Sequence, residues 1–150
     1  MTDAIETRTI PDATIPGLSY RVTVVPDLDA GRPEDNGDCY TPAQIAAWSR
    51  DDWLYVGVIV TPVIGGTDIT ASEQSLWGNE YGDFLLTDED DNTTGRRRID
   101  LDYMIGGETG HPEYAYPVPD LISEARESLP GHVIEMARQF SAVAAELDPS

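Results

Sequence analysis

The longest uninterrupted run of apolar, β-branched and aromatic residues extends from Trp53 to Thr61. Two aspartates precede it, and Pro62 ends it. This composition suits a pleated, buried backbone better than it suits a helix. The pattern therefore predicts that residues 53–62 form the central strand of a sheet.

Two further patterns predict neighbouring strands. Residues 20–26 alternate, which places Tyr20, Val22 and Val24 on one face of a half-buried strand. The pair Gly65-Gly66 supplies the positive φ of a tight reversal after the central strand. We therefore expect residues 53–62 to pair antiparallel with roughly residues 67–77, and the earlier strand to join the same sheet.

Helix signals occur before the central strand and near the C-terminus. Thr41-Pro42 is a favourable N-cap and first helical residue for a helix over 42–49. Asp120 is predicted to begin a later helix, and Pro130-Gly131 is predicted to interrupt it. A second helical run then carries an apolar stripe that we expect to cover one face of the sheet. The stripe consists of Val133, Met136, Ala137, Phe140, Ala144 and Leu147.

These elements predict an α+β fold. We expect a small antiparallel sheet of three to four strands, a short helix before the central strand, and C-terminal helices packed on one face. Residues 1–18 contain two prolines and little periodicity, which indicates an extended N-terminal arm. Residues 19–150 are predicted to form a single domain, with an acidic, loop-rich insert at about 83–118.

Charge is the strongest compositional feature. The chain has 28 acidic residues against 9 basic ones, a formal charge of −19, and every basic residue is arginine. Such a field repels nucleic acid and anionic membranes and attracts basic surfaces. Solubility or tolerance of high salt would explain the same acidity, and a GC-rich coding bias would explain the arginines.

The carboxylates concentrate in two predicted loops, and we expect these loops and one aromatic side chain to contact a partner. The partner-binding candidates are Asp27, Asp29, Glu34, Asp35, Asp38, Asp88, Glu89, Asp90, Asp91 and Tyr81. The expected partner is a basic protein surface, including that of a nucleic-acid-binding protein. Direct binding to nucleic acid or to a membrane is not expected.

Candidate chemistry is sparse. Asp88, Asp90 and Asn92 match positions 1, 3 and 5 of a calcium loop, but Thr93 and Ile99 occupy the positions of the required glycine and glutamate. We therefore treat a divalent-cation site as a weak candidate.

No phosphate loop, dinucleotide fingerprint or nucleophile elbow is present, so no cofactor is expected. Cys39 has no motif that joins it to His111 or His132. A single cysteine fits a reducing compartment, and a cytoplasmic location is expected.

Three short motifs carry a resemblance to a known family. They are Cys39-Tyr40 with the Ile45-Ala46-Ala47-Trp48 helix, the Trp53-Leu54-Tyr55-Val56-Gly57-Val58-Ile59-Val60 strand, and Ser75-Leu76-Trp77-Gly78-Asn79-Glu80-Tyr81-Gly82. The chain resembles a family of small acidic proteins of actinobacteria and their tailed bacteriophages. The resemblance covers about residues 20–82 and implies no catalytic residues. The segment 83–117 departs from it.

The leading hypothesis is a non-catalytic, phage-type protein that binds a macromolecule through its acidic surface. In a narrower form, the carboxylates mimic nucleic acid and inhibit a host or defence protein. The alternatives are a metal-assisted hydrolase that uses residues 88–92, and a structural protein of virions or their assembly. The sequence leaves the oligomeric state open.

Overall fold

The computed structural model describes residues 3–106 and 116–148. These residues form an α+β fold, as predicted. In chain order the elements are β1 (Glu6–Pro11), β2 (Leu18–Pro26), α1 (Pro42–Ser49), β3 (Trp53–Ile64), β4 (Thr67–Asp68), β5 (Gln74–Thr87), β6 (Thr93–Ile99), α2 (Leu101–Gly106) and α3 (Pro117–Leu147).

The described strands build one antiparallel sheet of six strands, where three to four were predicted. Its order is β1-β2-β3-β5-β6, with the short β4 paired to β3. The predictions of a central strand in β3 and of β2 beside it are confirmed. The expected pairing of residues 53–62 with 67–77 is only partly correct, because residues 70–72 leave the sheet as a 3₁₀ turn. Pairing resumes in β5, where Val60 lies opposite Gln74 and Trp53 opposite Gly82.

The N-terminal segment contains a strand rather than only an extended arm. β1 pairs with β2 from Glu6 opposite Val24 to Pro11 opposite Ser19. An edge strand tolerates a terminal proline because no neighbour is needed on its outer side.

The turn between β1 and β2 is held by Asp12. Its carboxylate accepts hydrogen bonds from the Tyr20 hydroxyl at 2.6 Å and from the backbone N–H groups of Thr14 at 3.0 Å and Ile15 at 2.9 Å. The Tyr20 hydroxyl, and then these N–H groups, hold the pKa of Asp12 well below its usual value. Arg126 of α3 approaches the same carboxylate at 3.2 Å, so the turn is attached to the helix.

The predicted loop-rich insert consists largely of strand and helix in the part that the structure describes. β5 continues to Thr87, turns at residues 88–92 and returns as β6, and α2 follows. Arg96 and Arg98 are exposed while Arg97 is half-buried, as strand alternation predicts. The Arg98 guanidinium lies 3.3 Å from the Asp83 carboxylate. Residues 107–115 of the insert lie outside the described residues.

α3 is one continuous helix, so the predicted interruption at Pro130-Gly131 is wrong. Its N-cap is Tyr116 and its first helical residue is Pro117, rather than a start at Asp120. Proline has no N–H, so Pro130 cannot donate the helical hydrogen bond that the Arg126 carbonyl would otherwise accept. Both residues are exposed, so water can hydrogen-bond that carbonyl and the helix continues.

The sheet is covered on both faces. The first half of α3 packs Val118, Leu121, Ala125 and Leu129 against the larger core, with the valines of β2 and β3. On the other face, Ala47 of α1 packs with Trp53 and Tyr55. No helix in the described ranges is both long and apolar enough to cross a membrane.

The second half of α3 corrects most of a prediction, because its apolar stripe meets the core at Met136 but does not cover the sheet beyond that residue. From residue 137 to residue 148 every residue is exposed. Leu129 is 5% exposed, whereas Phe140 is 66% exposed and Leu147 is 75% exposed. Periodicity identified an apolar face of this helix correctly, but this half of it extends past the sheet.

Candidate functional site: an acidic end with an aromatic cleft

The two predicted acidic loops lie at the same end of the sheet. β2 ends there, β3 begins there, and β5 passes beyond it into the turn before β6. We define the acidic end as residues 27–41, 50–52 and 88–92. It contains eleven carboxylate side chains and two guanidinium groups. Both guanidinium groups are paired, Arg32 with Glu34 at 2.7 Å and Arg50 with Asp52 at 3.2 Å.

α1 joins the two loops. The Thr41 side chain caps the helix, as the Thr-Pro start predicts, and the Gln44 side-chain oxygen accepts a hydrogen bond from the Thr41 N–H at 3.0 Å. The carboxylate of Asp91, in the turn before β6, accepts a hydrogen bond from the Ala43 N–H at 3.3 Å. N–H groups of the first helical turn have no partner within the helix, and here one of them holds the second loop beside the first.

Several predicted partner-binding carboxylates hold the local backbone instead of standing free. Asp27 accepts hydrogen bonds from the Gly78 N–H at 2.9 Å and the Asp29 N–H at 3.1 Å. Asp88 accepts from the Asn92 N–H at 2.9 Å and the Asp90 N–H at 3.0 Å. These N–H groups, that of Asn92 foremost, hold the pKa of Asp88 below its usual value.

The weak metal candidates are built into this turn. One oxygen of Asp88 accepts both hydrogen bonds, so the geometry of residues 88–92 is explained by turn formation. Among residues 3–106 and 116–148, no group of three or more His, Cys, Asp or Glu side chains is placed to hold a metal ion.

The remaining predicted carboxylates are all exposed and differ in their contacts. Asp29, Asp38, Glu89 and Asp90 are exposed. Glu34 and Asp35 are exposed and contact Arg32, Glu34 through its guanidinium and Asp35 through its backbone N–H at 3.3 Å.

Tyr81 does not lie on the surface. Its side chain is in the core, 7% exposed, and its hydroxyl donates a hydrogen bond to Glu6 at 2.8 Å. Burial, together with this bond, raises the pKa of Tyr81 to about 12. The expectation that Tyr81 contacts a partner is therefore replaced by a structural role.

An aromatic cleft of about 470 Å³ opens beside the acidic end. Tyr40, Tyr55 and Trp77 line it together with Asp27, Ala30, Asn36, Cys39 and Gly78. The Asn36 amide donates a hydrogen bond to the Tyr55 hydroxyl at 2.9 Å, which fixes one wall. A second hollow of about 450 Å³ shares Asp27 and Trp77 and adds Leu28 and Asp29. Aromatic and apolar side chains therefore lie beside two aspartates at the opening.

Trp77 lies at the surface of the cleft and is 50% exposed, although a tryptophan within a strand is more often buried. The β3–β5 pairing is irregular here, because Val56 pairs with Asn79 and Val58 with Leu76. Trp77 and Gly78 thus face the single residue Gly57 as a β-bulge, and a Cβ at Gly57 would lie 2.2 Å from the Trp77 ring. Only glycine admits the ring at this position.

Glu80 lies opposite Tyr55 on β5, and its side chain is half-buried. Burial raises the pKa of Glu80 above its usual value. Burial, a hydrogen bond with Tyr55, and the nearby Glu80 charge all raise the pKa of Tyr40. No sequence pattern distinguishes Glu80, because a single acid in an acidic chain carries no signal of its own.

We expect Glu80→Gln to stabilise the fold at pH 7. A carboxyl whose folded pKa is raised binds its proton more tightly in the folded state, so stability falls as the pH rises from the unfolded value of 4.5 through the folded one. Glutamine removes that loss. Urea unfolding at pH 4 and pH 7 should show a gain at pH 7 that shrinks at pH 4, whereas Glu89→Gln should show neither. A loss of stability at pH 7 would contradict the burial argument.

The cysteine and histidines do not form a catalytic pair in the described residues. Cys39 is exposed at the cleft, and the His132 Nδ1 atom lies 2.6 Å from the hydroxyl oxygen of Ser72. Ser72 is fully buried, so this contact joins α3 to the 70–72 turn. His111 lies outside the described residues.

Comparison of the chain with protein-family models, with curated proteins and with solved structures finds no match.

Proposed function

We propose that the protein is a non-catalytic binding protein whose acidic end docks on a basic surface of another protein. One observation carries the proposal: the first acidic loop lines the same hollows as the exposed side chains of Trp77 and Leu28, and the second acidic loop is attached to α1, the helix that follows the first. Charge accelerates and orients association, while buried aromatic anchors provide most of the affinity.

The exposed apolar groups support an interface rather than a merely soluble surface. Leu28 is 80% exposed and Trp77 is 50% exposed. The carboxylates beside them are sufficient for solubility, which the exposed apolar side chains do not improve. An aromatic residue held over a glycine by a bulge loses little side-chain freedom on binding. Solubility alone would not require this ring to be held at the surface.

The test is capture of partners from the producing cell by the tagged full chain at low and high salt. We expect Trp77→Ala to weaken binding of the captured protein by about thirty-fold, the equivalent of about 2 kcal/mol. Neutralising Asp29, Asp38, Glu89 and Asp90 together should weaken it by about ten-fold and flatten the salt dependence.

A matched control separates local from global charge. Neutralising Asp120, Glu124, Glu127 and Glu135, which are also exposed, makes the same change in net charge away from the acidic end. This variant should retain binding. Equal losses in the two charge variants would overturn the proposal, as would full binding by Trp77→Ala.

A narrower form of the proposal is nucleic-acid mimicry, in which the exposed carboxylates replace phosphates in a nucleic-acid-binding protein. The resemblance to small acidic proteins of actinobacteria and their tailed bacteriophages supports a host or defence protein as that partner. Competition decides this form: duplex DNA should displace the captured partner. If DNA and this protein bind the partner together, mimicry is excluded while the docking proposal stands.

A further inference from the structure

The outer half of α3, residues 133–147, presents an apolar seam that the described residues of its own chain cover only in part, at Met136, which packs against the larger core. Apolar residues recur at spacings of four, three, four, three and four, at Leu129, Val133, Met136, Phe140, Val143 and Leu147. This is the repeat of the core positions of a coiled coil. Val143 is 55% exposed, and exposure is greater still at Phe140 and Leu147.

An apolar groove lies at the base of this seam. It has a volume of about 810 Å³ and is formed where the β1–β2 turn and the end of β3 approach α3. Its apolar walls include Ile15, Leu18 and Ile64, and it shares Leu129 and Val133 with the seam. The groove and the seam are therefore one continuous surface.

We propose that this surface is a homodimer interface in which the outer halves of α3 from two copies pack antiparallel. The two sets of core positions then alternate across the interface. Leu129 faces Leu147 of the second copy, Val133 faces its Val143, and Met136 faces its Phe140. Each exposed Leu147 thereby enters the groove of the other copy. A single twofold axis then covers both the seam and the groove of each copy.

Charge favours this occupant and this orientation. Residues 131–148 carry three carboxylates and one guanidinium, so most of the charge of −19 lies on the rest of the chain. The core positions are flanked by Ala137, Gln139, Ala144 and Glu146, of which one is charged, so a second identical helix can approach closely.

The antiparallel orientation also separates the acidic bodies. Leu129 and Leu147 are eighteen residues apart. That is a length of about 27 Å at about 1.5 Å per residue, more than three Debye lengths at physiological ionic strength. A parallel pair would place the two acidic bodies side by side and would leave the grooves empty.

Sedimentation equilibrium of the full chain tests the dimer across a concentration series. We expect association that strengthens when salt is added, because salt screens repulsion between the two acidic bodies. Capture of a basic partner should weaken with salt, so failure of the dimer and failure of the proposed function are distinguishable.

Three variants test the surface. Phe140→Glu should weaken association by at least about ten-fold, since it places a charge in the seam. Ser141→Glu makes the same addition of charge at the neighbouring exposed residue, outside the seam, and should leave association intact. Ile64→Glu alters the groove without altering α3, and it should also weaken association.

Disulfide trapping tests the orientation in a Cys39→Ser background. Val133→Cys/Val143→Cys should give disulfide-linked dimers on mild oxidation, while each single variant should not. The two positions are ten residues apart on one helix, too far for an intramolecular bond. A monomer at every concentration, or equal losses from Phe140→Glu and Ser141→Glu, would overturn the proposal. Cross-linking by a single cysteine variant would overturn the antiparallel arrangement.

Discussion

Replacing Trp53 by alanine is expected to lower the free energy of unfolding by about 3–5 kcal/mol. Trp53 is fully buried, and its indole N–H donates a hydrogen bond to the Gln44 carbonyl at 2.9 Å. Its ring centroid lies 5.1–5.2 Å from those of Tyr40, Tyr55 and Phe84. The substitution therefore leaves a cavity between α1 and the sheet and removes one of the hydrogen bonds that hold the helix. Small domains have stabilities of about 5–15 kcal/mol, so this loss is a large fraction of the total.

Trp77→Ala is the matched control for this measurement, since it removes the same side chain from a half-exposed position. Urea unfolding should show a much smaller loss for Trp77→Ala than for Trp53→Ala. The two variants also separate stability from binding, because Trp77 is proposed to act in binding and Trp53 in folding. Similar losses of stability would show that the ring over Gly57 is a core contact and would weaken the proposed interface.

Gly82→Ala is expected to destabilise the fold by about 2–4 kcal/mol, through backbone strain and overpacking. Gly82 has a φ of +117°, and a Cβ there would lie 2.6 Å from the Asp52 carbonyl oxygen and 3.1 Å from the Trp53 Cα atom. Neither backbone atom can move freely. The Asp52 carbonyl accepts a hydrogen bond from the Asp83 N–H at 2.9 Å, and Trp53 pairs with Gly82 in the sheet.

Gly95→Ala provides the comparison within the same hairpin. Its Cβ would meet only Leu86 Cδ1 at 3.9 Å, an ordinary contact, and Gly95 is not among the glycines with positive φ. This substitution should be neutral or stabilising by up to about 1 kcal/mol, because alanine restricts the unfolded chain. The midpoint temperature of thermal unfolding should therefore fall for Gly82→Ala and stay unchanged or rise for Gly95→Ala. A neutral Gly82→Ala would contradict the conformation given for this strand.

Local sequence chemistry predicted β2, β3 and α1 because each carries its own signal. β2 alternates, β3 is a continuous run of strand-forming residues, and Thr41-Pro42 satisfies the first turn of α1. β1 escaped prediction because its half-buried and exposed residues alternate only weakly in hydrophobicity, and its order depends on pairing with β2. Propensity does not report such pairing.

The sequence predicted the charge of the candidate site but not the arrangement of its loops and aromatic side chains. The acidic loops were visible in the sequence, whereas their meeting at α1 depends on the Asp91–Ala43 hydrogen bond between residues 48 positions apart. The surface position of Trp77 depends on a bulge opposite Gly57, and the burial of Tyr81 depends on Glu6 in another strand. No local pattern encodes these contacts.

Composition and periodicity established the acidity, the α+β class, the central strand and the apolar face of the last helix, because these properties belong to single residues or to neighbours on one element. The three-dimensional arrangement established which carboxylates are free, which tryptophan is exposed and which half of α3 meets the sheet. Those outcomes depend on contacts between distant segments. A helix of regular periodicity has the same pattern whether its apolar face meets its own sheet or extends beyond it.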